Sequence, residues 1–277
     1  NVTGLVRALR AAGLLEPSSP VLAAARRCLE DVGSALDGAA GEAQQVPGVA
    51  AFGQDAAVAA PGGLQAEPRV VLDLPDRLVV FKPAHWESDQ GLADQGSRGK
   101  GGARTADLLS RFLAALLPRR RWPITSDTGR CGRGLLHRLD VPSSGLLLVA
   151  KGYRAYWHLE LQLSAGEVTR DYVLLCRGWL PLQRRRVDAR VRWERDATRP
   201  STAGWDPLGK PSGTRLRALA HAHRGGEAFT LALARIETGR QHQIRAHLAH
   251  LGHATCGDGL YAASSAARST RPWCPRH

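Results

Sequence analysis

The chain has 277 residues, of which 43% are hydrophobic and 23% charged, a balance that allows a sizeable core and excludes fibrous and disordered classes. Its apolar runs fall far short of the roughly 20 residues that a membrane span needs, so we expect no membrane association. The net charge of +13 favours a polyanionic partner, because all but four of the 38 basic residues are arginines, which suit forked phosphate contacts. The alternative explanation for the excess of arginine is a GC-rich genome, which encodes arginine in place of lysine.

The cysteines favour a reducing compartment, either the cytoplasm or an organelle. There are five of them, an odd number, and no two form a C-x-x-C pair. This pattern predicts neither a disulfide framework nor a zinc ribbon. The sequence contains no methionine and begins at Asn1, so we expect its natural start to be missing.

Residues 1–67 differ from the rest of the chain, since they are rich in alanine and glycine and carry a net charge of −3, against +16 for residues 68–277. Helical spacing of apolar residues predicts two helices here. The first contains Val2, Leu5, Val6 and Leu9, and the second follows Pro20 with Leu22, Ala25, Leu29, Val32 and Leu36. Residues 41–68 have the composition of a linker. We therefore predict that residues 1–67 form a helical N-terminal extension that takes no part in the chemistry, and that the main domain follows at 68–277.

The main domain begins with a predicted β-hairpin, with strands at 70–73 and 78–81 around the turn Leu74-Pro75-Asp76. Thr105 is a candidate N-cap for a helix that ends before Pro118. Residues 119–133 are basic and rich in turn formers. The uniformly apolar run 145–150 is typical of a strand buried on both faces.

The remaining elements alternate between helix and strand. Two helices are predicted, at 154–163 ending at Gly166, and at 240–251 with Thr238 as N-cap and Gly252 as stop. Strands are predicted at 168–177, 187–193, 215–220 and 229–236.

Three polar groups of residues could carry chemistry. His137-Arg138-Leu139-Asp140 precedes a buried strand, where a partly desolvated carboxylate needs a cationic partner, although Asp140 could instead cap the turn before Pro142. Residues 237–247 contain two arginines and two histidines, and Arg245 could point inward to a carboxylate; a solvated helix face is the alternative. Tyr172 could present its ring to a base, although strand tyrosines are usually core.

Together these segments match one family in residues and in order. Lys82-Pro83 is followed by His-Arg-Leu-Asp140, Ser-Ser-Gly-Leu-Leu-Leu-Val-Ala-Lys151, Arg-Asp-Tyr172, Thr-Gly-Arg-Gln-His-Gln-Ile-Arg245 and Gly-Asp-Gly-Leu-Tyr261. From residue 70 to residue 261 the chain resembles the RluA-type RNA pseudouridine synthases. The resemblance implies an α+β catalytic domain at 68–277, with a bent, mainly antiparallel mixed sheet, flanking helices and a central RNA-binding cleft. It also implies isomerisation of specific uridines in ribosomal or transfer RNA to pseudouridine, without cofactor or metal.

The resemblance also assigns roles to individual residues. Asp140 matches the essential aspartate, Tyr172 the tyrosine that stacks on the base, and Arg245 the ion-pair partner that would keep Asp140 charged. These three are the predicted catalytic residues. Arg138 matches an arginine that holds the RNA open, and with Arg240 and His137 it makes up the predicted RNA-binding set. Asp140 could attack the sugar or the base, or remove a proton from the sugar, and the sequence does not decide among these.

The sequence departs from the family pattern in places. Ser143 and Arg170 stand where threonine and lysine are usual, residues 84–90 replace a glycine-containing stretch, and 96–104 form a basic insert. The family has a further strand after the Gly-Asp-x-x-Tyr motif, and we expect this chain, which ends at His277, to lack it.

Other functions are less consistent with the residues. The histidines 242, 247, 250 and 253 lie close together, as zinc ligands can, but no H-E-x-x-H is present. A serine hydrolase would need a G-x-S-x-G elbow, which is absent. The main alternative is a catalytically inactive RNA-binding protein that keeps the fold. We expect a monomer in either case.

Overall fold

The computed structural model describes residues 6, 16, 18–40, 67–88, 108–183, 185–193 and 200–262. The predicted helix around Val6 lies almost wholly outside these residues, as do most of the predicted linker, Thr105 and the basic insert. The chain forms two compact units, residues 1–165 and 166–277. No helix in the described ranges is both long and apolar enough to cross a bilayer.

The first unit combines a three-stranded antiparallel sheet with helices. Its elements are α1 (Pro20–Ala40), β1 (Arg69–Asp73), β2 (Arg77–Lys82), α2 (Leu109–Leu116), β3 (Gly145–Ala150) and α3 (Tyr153–Ala165). The strand order is β1-β2-β3, so the predicted hairpin is confirmed. The helix predicted after Pro20 is confirmed as well, and its Leu22, Ala25 and Leu29 pack against Leu161 of α3. The division predicted at residue 67 stays a prediction.

Two predicted details of this unit are wrong. Strand β3 is not buried on both faces: Leu147 and Val149 are inaccessible, whereas Leu146 is 55% exposed, because the side chains of a strand alternate between its faces. The N-cap of α2 is Leu108 rather than Thr105, and no side chain caps this helix.

A close backbone approach joins β3 to the loop before it. Gly134 has a φ of +86°, and a Cβ there would lie 2.3 Å from the carbonyl oxygen of Ala150. Only glycine fits this position. The close approach holds the start of the loop that contains Asp140 against the end of β3.

The second unit is built on a four-stranded antiparallel sheet of order β4-β9-β8-β5 and a two-stranded sheet β6-β7. The strands are β4 (Arg170–Arg177), β5 (Arg186–Asp188), β6 (Arg190–Arg192), β7 (Thr202–Gly204), β8 (Gly213–Arg224) and β9 (Glu227–Ile236), and helix α4 (Gln243–His250) follows. An apolar cluster that includes Cys176, Leu216, Ala232, Ala234 and Leu248 forms the core. The α+β class and the antiparallel pairing are as the sequence predicts.

The strand predicted at 187–193 is in fact two short strands in different sheets. They separate at Ala189, whose carbonyl oxygen lies 2.9 Å from Nε2 of His247. Strand β7 was not predicted, since three residues are too few to show a period. Cys28, Cys131, Cys176 and Cys256 are free cysteines.

Candidate active site

Asp140 lies in the loop between the Gly134 turn and β3, and the backbone on either side of it is fixed. The hydroxyl of buried Ser88 donates to the carbonyl of Leu139 at 2.8 Å and accepts from its amide at 3.1 Å. The carbonyl of Val141 accepts from the amide of His85 at 2.6 Å. Asp140 itself is partly exposed. The loop therefore presents a carboxylate on a backbone that is anchored both before and after it.

Lys82 supports the same loop from the interior. Its side chain is fully buried, and Nζ donates to the carbonyls of Pro83 (2.9 Å), Trp86 (2.8 Å) and Val141 (3.3 Å). Burial lowers the pKa of Lys82 to about 8, and the negative charge of Asp140 acts in the opposite direction. The three ammonium hydrogens of Lys82 are thus all donated to carbonyls, and these hydrogen bonds link the end of β2 to Val141, the residue after Asp140.

His85 takes a conformation that favours glycine. Its φ is +70°, in the left-handed region where a Cβ is disfavoured. It lies in the stretch 84–90, where the family pattern has glycine. The turn therefore holds a non-glycine residue at some cost in backbone strain.

His137 and Arg138, two of the predicted RNA-binding residues, occupy different environments. Arg138 is exposed. Nε2 of His137 accepts a hydrogen bond from the amide of Leu148 at 3.3 Å, which makes this ring part of the attachment of the loop to β3. Its predicted RNA contact stays a prediction.

In the second unit, Tyr172 lies on β4, opposite Ala234 of β9, and packs partly buried against the core cluster. Arg170, two residues earlier, approaches the loop after β9. A Cβ on Gly239 would lie 2.6 Å from Nη1 of Arg170, so the glycine of the Thr-Gly-Arg motif leaves room for this guanidinium.

The loop after β9 is held by Gln243. Its Oε1 accepts from the hydroxyl of Thr238 (2.6 Å) and from the amide of Arg240 (3.0 Å), and its Nε2 donates to the carbonyl of Gly213 (2.9 Å). The predicted N-cap role of Thr238 is wrong. Helix α4 begins three residues later than predicted, and its N-cap is His242, at a φ of +54°.

Helix α4 places Arg245 beside an acidic partner. Nε and Nη2 of Arg245 donate to the two carboxylate oxygens of Asp258 at 2.6 and 2.8 Å, and the guanidinium lies 4.7 Å from the ring centre of Tyr261. Burial raises the pKa of Asp258, but the hydrogen bond and charge of Arg245 outweigh it, so the net pKa is lowered. The predicted ion pair between Arg245 and Asp140 stays a prediction.

The histidines near this helix bond to protein groups. Buried His247 contacts the hydroxyl of Thr214 through Nδ1 (2.8 Å) and the carbonyl of Ala189 through Nε2. Burial lowers its pKa, which favours a neutral ring whose Nε2 donates to Ala189 and whose Nδ1 accepts from Thr214. Within the described ranges, no three histidine, cysteine or acidic side chains are placed to hold a metal ion.

The six predicted site residues therefore divide between two short segments and one strand. His137, Arg138 and Asp140 share one loop of the first unit; Arg240 and Arg245 flank the start of α4 in the second, where Tyr172 lies on β4. The sequence analysis assigned no role to Lys82, Ser88 or Asp258. A signal existed for Lys82, since alternation along β2 places it on the same buried face as Leu78 and Val80.

Comparison with known proteins agrees with these features. The family described as RNA pseudouridylate synthase matches residues 78–250. The ribosomal large subunit pseudouridine synthase D of Yersinia pestis is 37% identical over 140 residues, which cover 50% of this chain and 40% of that protein. The protein of the same name from Escherichia coli K12 is 35% identical over the same length and coverage. The matched part is thus less than half of these relatives.

A solved structure is also similar. The human protein described as RNA pseudouridylate synthase domain containing 1 superposes with a TM-score of 0.51 at 26% identity, covering 78% of this chain and 77% of that chain.

Proposed function

This chain belongs to the RluA-type RNA pseudouridine synthase family, and we propose from that membership that it isomerises specific uridines in RNA to pseudouridine. The observation that carries the proposal is the anchored loop at Asp140. It lies inside the matched residues, follows His-Arg-Leu, and is held by Ser88 and Lys82. A catalytic carboxylate needs such a fixed backbone, because small displacements cost much of the rate.

The reaction requires one bond to break and another to form. The N1–C1′ glycosidic bond of uridine breaks, the base turns, a C5–C1′ bond forms, C5 loses its proton and N1 gains one. The atoms balance without an oxidant or reductant, so no redox cofactor is needed. The proposal includes no cofactor and no metal, as the resemblance implies. Asp140 would act by attack on the sugar or base, or by removing a sugar proton.

Tyr172 and Arg245 are the other two proposed catalytic groups. Tyr172 would stack on the uracil and assist loss of the C5 proton. Arg245 would place a fixed positive charge, oriented by Asp258, to pair with the catalytic carboxylate. Lysine would not replace it, because a single ammonium cannot reproduce the bidentate contact.

The substrate we propose is structured RNA, with large-subunit ribosomal RNA as the first candidate because the matched relatives carry that name. The target base must leave the stack, which costs a few kcal/mol, and contacts from Arg138, Arg240 and His137 would offset this cost. We propose that the protein acts as a monomer.

Pseudouridine mapping tests the proposal. Unmodified total RNA is incubated with the wild-type chain and with Asp140→Asn, which preserves the shape of the side chain and removes its charge. New pseudouridines with the wild type alone would support the proposal and identify the RNA. If neither form makes pseudouridine while both bind RNA, the protein is a catalytically inactive RNA binder, and the proposal fails.

A further inference from the structure

Four exposed arginines of the first unit have no carboxylate partner in the described part of the chain. They are Arg119, Arg120, Arg121 and Arg130, which we call the arginine cluster. Residues 118–133 contain five arginines and one aspartate, a net charge of +4. That aspartate, Asp127, uses Oδ1 to accept from the amides of Gly129 (3.1 Å) and Arg130 (2.9 Å). Among the described residues, no acidic side chain is therefore paired with the cluster.

Arginines elsewhere in the chain are arranged differently. Six of them in the second unit form ion pairs with aspartate or glutamate: Arg177, Arg186, Arg192, Arg215, Arg235 and Arg245. Several arginines of the second unit thus have an acidic partner of their own. The arginine cluster instead places four guanidinium groups without such a partner, among the described residues, in one short segment, where solvent ions or another molecule can supply the compensating charge.

The cluster is held on a fixed backbone. The amides of Arg121 and Trp122 both donate to the carbonyl of Pro118, at 3.0 and 2.9 Å, and the side chains of Leu117 and Ile124 on either side are buried. The guanidinium of Arg121 lies 5.2 Å from the ring centre of Trp122, and that of Arg130 lies 5.6 Å from the ring centre of Trp157. These contacts limit the entropy that would be lost on binding.

Two arginines of the cluster also border a recess at the surface. Arg119, Arg120, Pro123 and Ser126 line an open recess of about 540 Å³. Nε of Arg119 donates to the hydroxyl of Ser126 at 2.8 Å, which orients this guanidinium. The guanidinium groups of Arg119 and Arg120 and the hydroxyl of Ser126 are donors from which a phosphate group can accept hydrogen bonds.

We propose that the arginine cluster binds the phosphodiester backbone of the RNA substrate, as a docking site separate from the residues that carry out the isomerisation. This inference rests on the proposed function for the identity of its partner. Phosphate contacts position the RNA without reading its sequence. The cluster should therefore contribute to affinity and to its salt dependence, and leave the chemical step unchanged.

The test compares two triple variants that lose the same charge. Arg119→Gln/Arg120→Gln/Arg121→Gln removes most of the cluster, and Arg77→Gln/Arg177→Gln/Arg192→Gln removes arginines that have acidic partners. The dissociation constant is measured by fluorescence anisotropy with a transcribed, unmodified fragment of large-subunit ribosomal RNA between 50 and 200 mM KCl. Thermal unfolding of each variant checks that it is folded.

The cluster variant should reduce the slope of log Kd against log salt by about 2 to 3, because each neutralised phosphate contributes about 0.7 to 0.9. The control variant should keep the wild-type slope, and the cluster variant should raise KM with little change in kcat. If the wild type makes pseudouridine but the cluster variant keeps the wild-type slope, the docking inference fails and the proposed function stands. Equal slopes for the cluster and control variants would overturn the inference in the same way. If the wild type makes no pseudouridine but the slope still falls only in the cluster variant, the inference stands and the proposed function fails.

Discussion

Breaking the ion pair between Arg245 and Asp258 should destabilise the second unit far more than breaking a pair with similar hydrogen bonds at the surface, because it leaves a buried charge without compensation. Its two hydrogen bonds measure 2.6 and 2.8 Å, and the side chains are 17% and 8% exposed. Arg235 and Asp171 form a pair with two bonds of 2.6 Å, but at 47% and 37% exposure. The two pairs therefore have similar hydrogen bonds between their partners and differ mainly in burial, although Asp258 also accepts from the hydroxyl of Thr255 at 3.0 Å.

Arg245→Lys keeps the charge and loses one of the two bonds, so it should lower the free energy of unfolding by about 2 kcal/mol, the usual worth of a hydrogen bond to a charged group. Arg245→Leu leaves Asp258 without its partner and should cost about 3 to 5 kcal/mol. Arg235→Lys should have no measurable effect, since exposed ion pairs are weak and screened.

Urea unfolding of the three variants at neutral pH measures these differences. The pKa of Asp258 is lowered from 3.8 in the folded state, so its contribution is present above about pH 4 and is lost as the pH falls through the folded pKa. Equal losses for Arg245→Lys and Arg235→Lys would refute the reasoning from burial.

Three further predictions concern the first unit. Lys82 donates three hydrogen bonds only when protonated, so kcat should fall as the pH rises through about 8. Between about pH 8 and 10.5 the unfolded chain binds more protons than the folded one, so the free energy of unfolding should rise over that range. If kcat and the free energy of unfolding changed in the same direction, this reasoning would be contradicted. His85→Gly removes a left-handed non-glycine residue and should raise the free energy of unfolding by about 1 kcal/mol in urea titrations, whereas a loss would show that the ring makes a contact of its own. Deleting residues 1–67 should spare catalysis, as the sequence predicts, but lower the melting temperature. Leu22 and Leu29 each bury a side chain against α3, and each burial is worth about 1.5–3 kcal/mol. An unchanged melting temperature would exclude this packing.

Local patterns in the sequence predict most of the secondary structure elements, but they do not predict the long-range contacts that support the Asp140 loop. Two apolar runs on either side of a Leu-Pro-Asp turn predict β1 and β2, and helical spacing predicts α1, because each signal depends on neighbours along the chain. The double burial of β3 was wrong, since exposure of Leu146 depends on what covers each face of the sheet. The partners of Asp140's neighbours could not be predicted either: Ser88 bonds Leu139 across 51 residues, and Lys82 bonds Val141 across 59.

The central claim is that Asp140 drives the exchange of the N1 for the C5 glycosidic bond. RNA transcribed with [5-³H]uridine reports this exchange, because forming the C5–C1′ bond releases the tritium to water. The wild-type chain should release one tritium for each pseudouridine made, and Asp140→Asn should release none while binding the RNA with unchanged affinity. Release at the wild-type rate by Asp140→Asn, or no release by the wild type on any RNA that it binds, would contradict the account.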